Sequence, residues 1–255
     1  VYIAPLARLL IAEHGLTGSF VMLGALFAAV IVAAAQLMRM PPPDYVPPAP
    51  PTAAAAKVAS ADVPPAAVVK TWQFYALVGL FIGSAQAGLL VIANATVIQK
   101  SATAGVAFLA ANAWLLAAFG GVVNASGRVG TGSYSDGIGR VNAFGLNGLA
   151  AAACLFALPA VVAAGNVWLL FAAVGVVYWQ YGGTLALMPA WTADFYGAKN
   201  LGVNYGLVFL GWGVAFFVPQ LAAEIKDATG SMDLAFYLSG GLLVAAVAAS
   251  RAVRK

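Results

Sequence analysis

The sequence predicts an all-α fold, a polytopic membrane helix bundle, and two observations predict it. Of its 255 residues 63% are hydrophobic and only 8% charged, whereas soluble domains carry roughly a quarter charged residues. The charges also leave a series of uninterrupted apolar windows, each close to the ~20 residues that cross a hydrocarbon core about 30 Å thick. A globular protein of this length would clothe its remaining surface in Lys, Glu, Asp and Arg, and 12 basic and 8 acidic residues cannot do so. Lipid is therefore the expected solvent for most of the chain.

Seven apolar windows, charge-free but for Arg128 in the third, read as spans: residues 17–38, 72–97, 105–129, 141–160, 167–190, 202–221 and 234–249. Residues 2–12 read as the tail of a further helix. The fourth and fifth windows are divided by Ala164-Gly165-Asn166, which supplies a turn. Between the first and second windows, residues 41–70 hold nine of the 13 prolines. Such a segment stays extended in polyproline II and acts as a semi-rigid, solvated spacer. The expected organisation is one unit over residues 1–40, a Pro/Ala-rich linker over 41–70 and a six-helix bundle over 71–255.

Alternating the seven spans puts Arg39, Lys57, Lys70, Arg140, Lys199, Arg251, Arg254 and Lys255 on one side, and Lys100 and Lys226 on the other. By the positive-inside rule the linker and the C-terminus are expected in the cytoplasm. The acidic residues divide evenly, with Asp44, Asp62, Asp136 and Asp194 against Glu13, Glu224, Asp227 and Asp233; that rule gives them little weight.

The net charge of +4 comes from basic residues scattered singly between apolar runs, which argues against a nucleic-acid partner. Cys154 is a lone cysteine in an apolar stretch, so no intrachain disulfide is expected. His14 sits beside Glu13 in an expected extracytoplasmic loop and reads as a surface residue. No phosphate-cradling glycine loop, metal-ligand spacing or nucleophile triad is visible, so neither cofactor nor metal is expected. The opening Val1-Tyr2-Ile3 has neither Met nor a charged n-region, which suggests an absent upstream portion rather than a signal peptide.

The segment between the third and fourth windows reads Gly132-Ser-Tyr-Ser-Asp136-Gly-Ile-Gly139-Arg140. It resembles the loop signature of the major facilitator superfamily, which recurs after the second and eighth of twelve helices. Its chemistry is that of a gating loop: glycines let two helix ends approach, Asp136 sits near the positive end of the next helix, and Arg140 is its i+4 partner. Basic residues common in the family are replaced by Gly137 and Val141, and a tight turn capped by Asp136 is the simpler alternative. Counting from this loop, the spans after the linker become helices seven to twelve of half a major facilitator fold, with residues 1–40 as the end of helix five and helix six. Asn124-Ala-Ser-Gly-Arg128, Tyr181-Gly-Gly-Thr-Leu-Ala-Leu-Met-Pro189 with Thr192-Ala-Asp194, Lys199-Asn-Leu-Gly-Val-Asn204-Tyr205-Gly and Ala4-Pro5-Leu6-Ala7 with Leu10-Ile11-Ala12 resemble the oxalate:formate antiporter and monocarboxylate carrier branch.

Arg128 is the leading candidate for a ligand-binding group. It precedes Asp136 by two helical turns, about 12 Å along the axis, which places a charge inside the bilayer. Such a residue faces a cavity or pathway, or else snorkels to the headgroups. Asn124, Gly121, Ala117 and Trp114 share its helical face, a stripe suited to a water-accessible cavity. A guanidinium offers a planar fork that fits a carboxylate, and the resemblance implies that an arginine of helix eight binds the substrate carboxylate. Gln86, Tyr181, Tyr205 and Trp212 are further lining candidates, as are Asn94, Tyr178, Gln180 and Thr184. Dicarboxylate members of the branch carry a lysine in helix eleven, but residues 202–221 contain no charge. The resemblance thus implies a transporter of small organic anions, monocarboxylates such as formate or a short 2-oxo or 2-hydroxy acid. It would work by alternating access with a proton or counter-anion as possible partner, its N-terminal helices being absent from this chain. A seven-helix receptor or photoreceptor is the first alternative, but residues 234–249 lack the lysine a retinal protein needs. An integral-membrane enzyme is the second, and it would require acid, base or metal groups gathered at one depth.

Overall fold

The computed structural model describes residues 3–39, 42, 45, 62–103 and 105–253, and of Ala4 only its backbone. Lys57, Asp44, Arg254, Lys255 and Tyr2 lie outside the described residues. The chain divides into two compact units, residues 1–53 and 54–255, with the boundary inside the Pro-rich segment. Among the described residues the regular structure is entirely helical, and six helical segments are long and apolar enough to cross a membrane, counting Leu201–Thr229 as one. The chain is thus an all-α polytopic membrane bundle.

The first unit contains α1 (Ile3–Ala35), which is two helices meeting at Gly15, where φ 67° and ψ 179° leave the helical region. Only glycine adopts that conformation without strain. The expected loop around Glu13 and His14 therefore shrinks to one residue, and both side chains belong to helical turns, with His14 Nε2 3.8 Å from Glu13 Oε2. Ser19 donates to the Gly15 carbonyl at 2.6 Å, tying the second helix to the break.

The second unit contains α2 (Pro65–Val68), α3 (Trp72–Ala102), α4 (Ala107–Ala111), α5 (Leu115–Ile138), α6 (Arg140–Ala164), α7 (Val167–Tyr196), α8 (Leu201–Ala215), α9 (Val218–Thr229) and α10 (Asp233–Ser250). The expected turn between α6 and α7 is present: Gly165 adopts φ 62° as a left-handed cap, and Asn166 Oδ1 accepts from the Leu169 amide at 3.1 Å. Two spans differ from expectation. The window 105–129 is not one helix, because Gln99 of α3 reaches across to its middle. Gln99 Nε2 donates to the carbonyls of Leu109 (3.0 Å) and Asn112 (3.2 Å), while its Oε1 accepts from the Leu116 amide at 2.8 Å. These bonds satisfy the end of α4 and the start of α5. The helix resumes at Leu115 and runs on to Ile138; its polar content keeps it out of the six spans qualified by hydropathy, although its 24 residues extend about 36 Å. The window 202–221 breaks at Phe216 and Phe217 because Pro219, in the first turn of α9, lacks an amide hydrogen and would clash with the carbonyl of Ala215. Pro159 in α6 and Pro189 in α7 are accommodated within their helices.

The Pro-rich segment also departs from the expected free spacer at its end. Pro64 and Pro65 initiate the one-turn α2, and Val68 is fully buried. Residues 62–71 thereby lie against the junction of α7 and α8. The bundle gathers its charges at opposite ends. Arg140 meets Asp194, Arg251 meets Asn142 and the backbone amide of Lys199 donates to Asp62 at one, whereas Ser101, next to Lys100, lines a cavity with Lys226 and Asp233 at the other. The alternation read from the spans holds within this unit.

Candidate functional site

The site rests on the crossing of α5 and α7, where both helices present glycine. A Cβ at Gly127 would stand 2.5 Å from the Trp179 carbonyl oxygen, and one at Gly182 would collide with the backbone of Asn124. Small residues let backbones approach closely in lipid, where packing rather than hydrophobicity holds helices together. The same crossing carries buried polar ties. Tyr134 donates to Asn147 Oδ1 at 2.6 Å and Asn147 Nδ2 donates to Thr131 Oγ1 at 3.0 Å, joining α5 to α6. Gln180 donates to Ser84 and Thr184, and the two hydroxyls share a 2.6 Å bond, joining α7 to α3.

Arg128 projects from this crossing near the middle of α5, about 15 Å from Ile138 along the axis. Its Nε donates to Asn124 Oδ1 at 3.3 Å, so the side chain leans back along the helix, away from Asp136 and the nearer helix end. This direction opposes snorkelling towards that end and follows the usual backward tilt of helical side chains. Within electrostatic reach lie the phenols of Tyr181 on α7 and Tyr205 on α8. Trp212 donates from Nε1 to the Tyr181 oxygen at 2.8 Å. Tyr205, Phe209 and Trp212 share one face of α8, and Phe216 follows just past its end: Tyr205 meets Phe209 edge-on with centroids 5.6 Å apart, Phe209 stacks on Trp212 at 5.4 Å, and Trp212 reaches Phe216 at 6.4 Å. Phe209 was legible from its spacing, four residues after Tyr205 and three before Trp212, but it carries no polar atom to suggest a role.

Of the expected site residues, Asn124 thus holds Arg128 and Trp212 holds Tyr181, while the Arg128 charge reaches Tyr181 and Tyr205 without a hydrogen bond to either. Gln86 does not join them. It is fully buried, its amide donates to the Gly83 and Ser239 carbonyls, and its Oε1 accepts from the Ser239 hydroxyl at 2.7 Å. Its polar atoms hold α3 to α10. The stripe from Trp114 through Ala117, Gly121 and Asn124 to Arg128 lies open, with Gly121 and Arg128 exposed and the others half-buried. No wall from the other helices of this unit closes over it.

The expected gating loop is mostly helix. Gly132 and Asp136 lie in the last turns of α5, and Gly139 is the one residue separating α5 from α6, at φ 87° and ψ 152°. A Cβ at Gly132 would meet nothing within 4 Å, so close approach falls to Gly127 and Gly182 instead. Asp136 therefore stands at a helix C-terminus, where the dipole disfavours it, rather than at the N-terminus of α6. Arg140 offsets this as the i+4 partner, with Nη1 2.6 Å from Asp136 Oδ1. It also donates from Nε to Asp194 Oδ2 at 3.3 Å and from Nη1 to the Ser135 hydroxyl, tying the α5–α6 joint to the end of α7.

No family model matches the chain. Over 157 residues, 62% of this chain, it is 31% identical to YhjX, an uncharacterized MFS-type transporter of Escherichia coli strain K12. That likeness supports membership of the major facilitator superfamily. The alignment covers 38% of that transporter's length.

Proposed function

We propose that this chain is the anion-binding part of a secondary transporter for small organic anions, with a monocarboxylate as substrate. The observation that carries this reading is the direction of Arg128. A guanidinium at mid-helix, held by Asn124 and within electrostatic reach of two phenols, is an electropositive fork with no acidic partner among the described residues. A carboxylate would take both N–H groups of the fork side by side. Tyr181, with its oxygen already accepting from Trp212, has its own hydrogen free for a second anion oxygen, and Tyr205 lies alongside. Trp212 and Phe209 add apolar surface beside the two phenols without enclosing Arg128. One cation suits one carboxylate, since the second charge of a dicarboxylate would be desolvated without compensation.

Residues 71–255 would then form the C-terminal six-helix bundle, 41–70 the central loop and 1–40 the end of the preceding bundle, with the Arg140 end of the helices and the linker in the cytoplasm and the protein in an inner membrane. Alternating access would come from rocking against a second bundle, and a proton or counter-anion would complete the cycle. Binding to the chain in lipid nanodiscs, measured by calorimetry with formate, acetate, lactate, pyruvate and oxalate, tests the reading. Arg128→Gln should weaken monocarboxylate binding by at least ~30-fold, as expected when a charged hydrogen bond worth about 2 kcal/mol or more is lost. Equal affinity of wild type and Arg128→Gln for every anion would refute it.

A further inference from the structure

Residues 62–71 and the Arg140 cluster end on the same short stretch of α7. Asp194 receives Arg140. Two residues later, the Tyr196 carbonyl accepts from the Val63 amide at 3.0 Å and the Tyr196 hydroxyl bonds Thr71 at 2.7 Å. Gly197 then turns the chain at φ 78°, where a Cβ would strike Asp62. The turn aims the Lys199 amide at Asp62 Oδ1, 3.1 Å away. Asn200 and Asn204 both donate to the Val63 carbonyl, at 3.3 and 3.1 Å. The segment is thus held at both edges, with Val68 buried behind it.

We infer that residues 62–71 form a releasable strap whose docking on the α7–α8 junction is coupled, through the last turn of α7, to the Arg140–Asp194 pair. Coupling follows from covalent adjacency. Asp194 and Tyr196 share one helical turn, so a shift that parts Arg140 from Asp194 moves the groups that hold Val63 and Thr71. Release follows from two features of the docked state. The Asn204 side chain is fully buried, and while its Nδ2 serves Val63 its Oδ1 has no donor. A sealed acceptor of this kind penalises the docked form and gains water when the strap leaves. Asp62 and Lys199 are exposed, so water competes for their bond in place. The strap consequently has two accessible positions, and the charge cluster biases the choice between them.

Hydrogen exchange read by mass spectrometry on the whole chain in nanodiscs tests this. In the wild type, the amides of Val63 and Lys199 should exchange faster than those around Leu155 in the core of α6, reporting local release rather than global unfolding. Asn204→Ala and Thr71→Val should each speed exchange in 62–71, and Arg140→Gln, which touches no strap residue, should do so by ~3-fold or more. Should Arg140→Gln not fold, Asp194→Asn makes the same test. Strap exchange as slow as that of α6 would overturn release. Strap exchange unchanged by the Arg140 and Asp194 substitutions would overturn coupling.

Discussion

Gly182→Ala would place one methyl group where α5 and α7 come closest. The added Cβ would collide with the backbone of Asn124, carbonyl oxygen included. A side chain could rotate away, but a carbonyl in mid-helix is fixed by its own hydrogen bond, so the helices themselves must separate. Overpacking in a close-packed interior costs about 1–3 kcal/mol, and a backbone obstacle places this substitution near 3 kcal/mol. Better helix propensity of Ala over Gly returns roughly 0.8–1 kcal/mol, leaving a net loss of about 2 kcal/mol, or close to 30-fold in the folded-to-unfolded ratio. Gly132→Ala is the matched control, because a Cβ there meets nothing within 4 Å. It should be neutral or stabilising by up to about 1 kcal/mol. Equilibrium unfolding in mixed micelles, followed by far-ultraviolet circular dichroism, gives both values. Equal stability of the two variants would show that the α5–α7 contact is not set by glycine. The separation should also draw Asn124 and Arg128 away from Tyr181, so anion binding should fall with stability in Gly182→Ala and survive in Gly132→Ala.

Gln99→Leu should cost about 1–3 kcal/mol, since it leaves the buried Leu116 amide without its acceptor and takes a second donor from the Leu109 and Asn112 carbonyls; thermal unfolding and exchange at residues 107–116 measure it. Gly139→Ala should destabilise by about 1–3 kcal/mol through the φ of 87° it would impose on a side chain, and a midpoint equal to wild type in the same titration would contradict this. Arg140→Gln should lose no more than about 1 kcal/mol, because Asp136 is largely exposed and such pairs are screened; salt titration of the wild type should remove a similar amount. Liposomes carrying these 255 residues by themselves should show no uptake of labelled formate or lactate, and uptake would refute the assignment of the chain to one part of a two-bundle transporter.

Composition and periodicity made the helical membrane fold and the turn at Ala164-Gly165-Asn166 legible, because both are local properties. The division of the window 105–129 was not, since its cause is Gln99, a side chain on another helix. The break before α9 carried a local signal in Pro219 that an unbroken charge-free window concealed. Residues 62–71 read as spacer because proline content describes what a segment does alone, whereas its order comes from Tyr196, Asn200 and Asn204, more than a hundred positions away. Of the candidate lining residues, Tyr205 and Trp212 shared a face by helical spacing, whereas Tyr181 stood out only through the stretch that resembles the family. Gln86 looked equally eligible, because a buried amide in lipid needs partners and the sequence does not tell whether Ser239 or a ligand provides them.

Pro189 lies between the phenol of Tyr181 and the carboxylate of Asp194 on one continuous helix. Lacking an amide hydrogen, it leaves the Leu185 carbonyl without its usual i+4 donor, so the rod has its weakest rung there. The eight residues from Tyr181 to Pro189 span about 12 Å, and flexure at that rung would swing the segment bearing Asp194 and Tyr196 while leaving Tyr181 seated against Trp212. α7 is thus a lever with its fulcrum already cut.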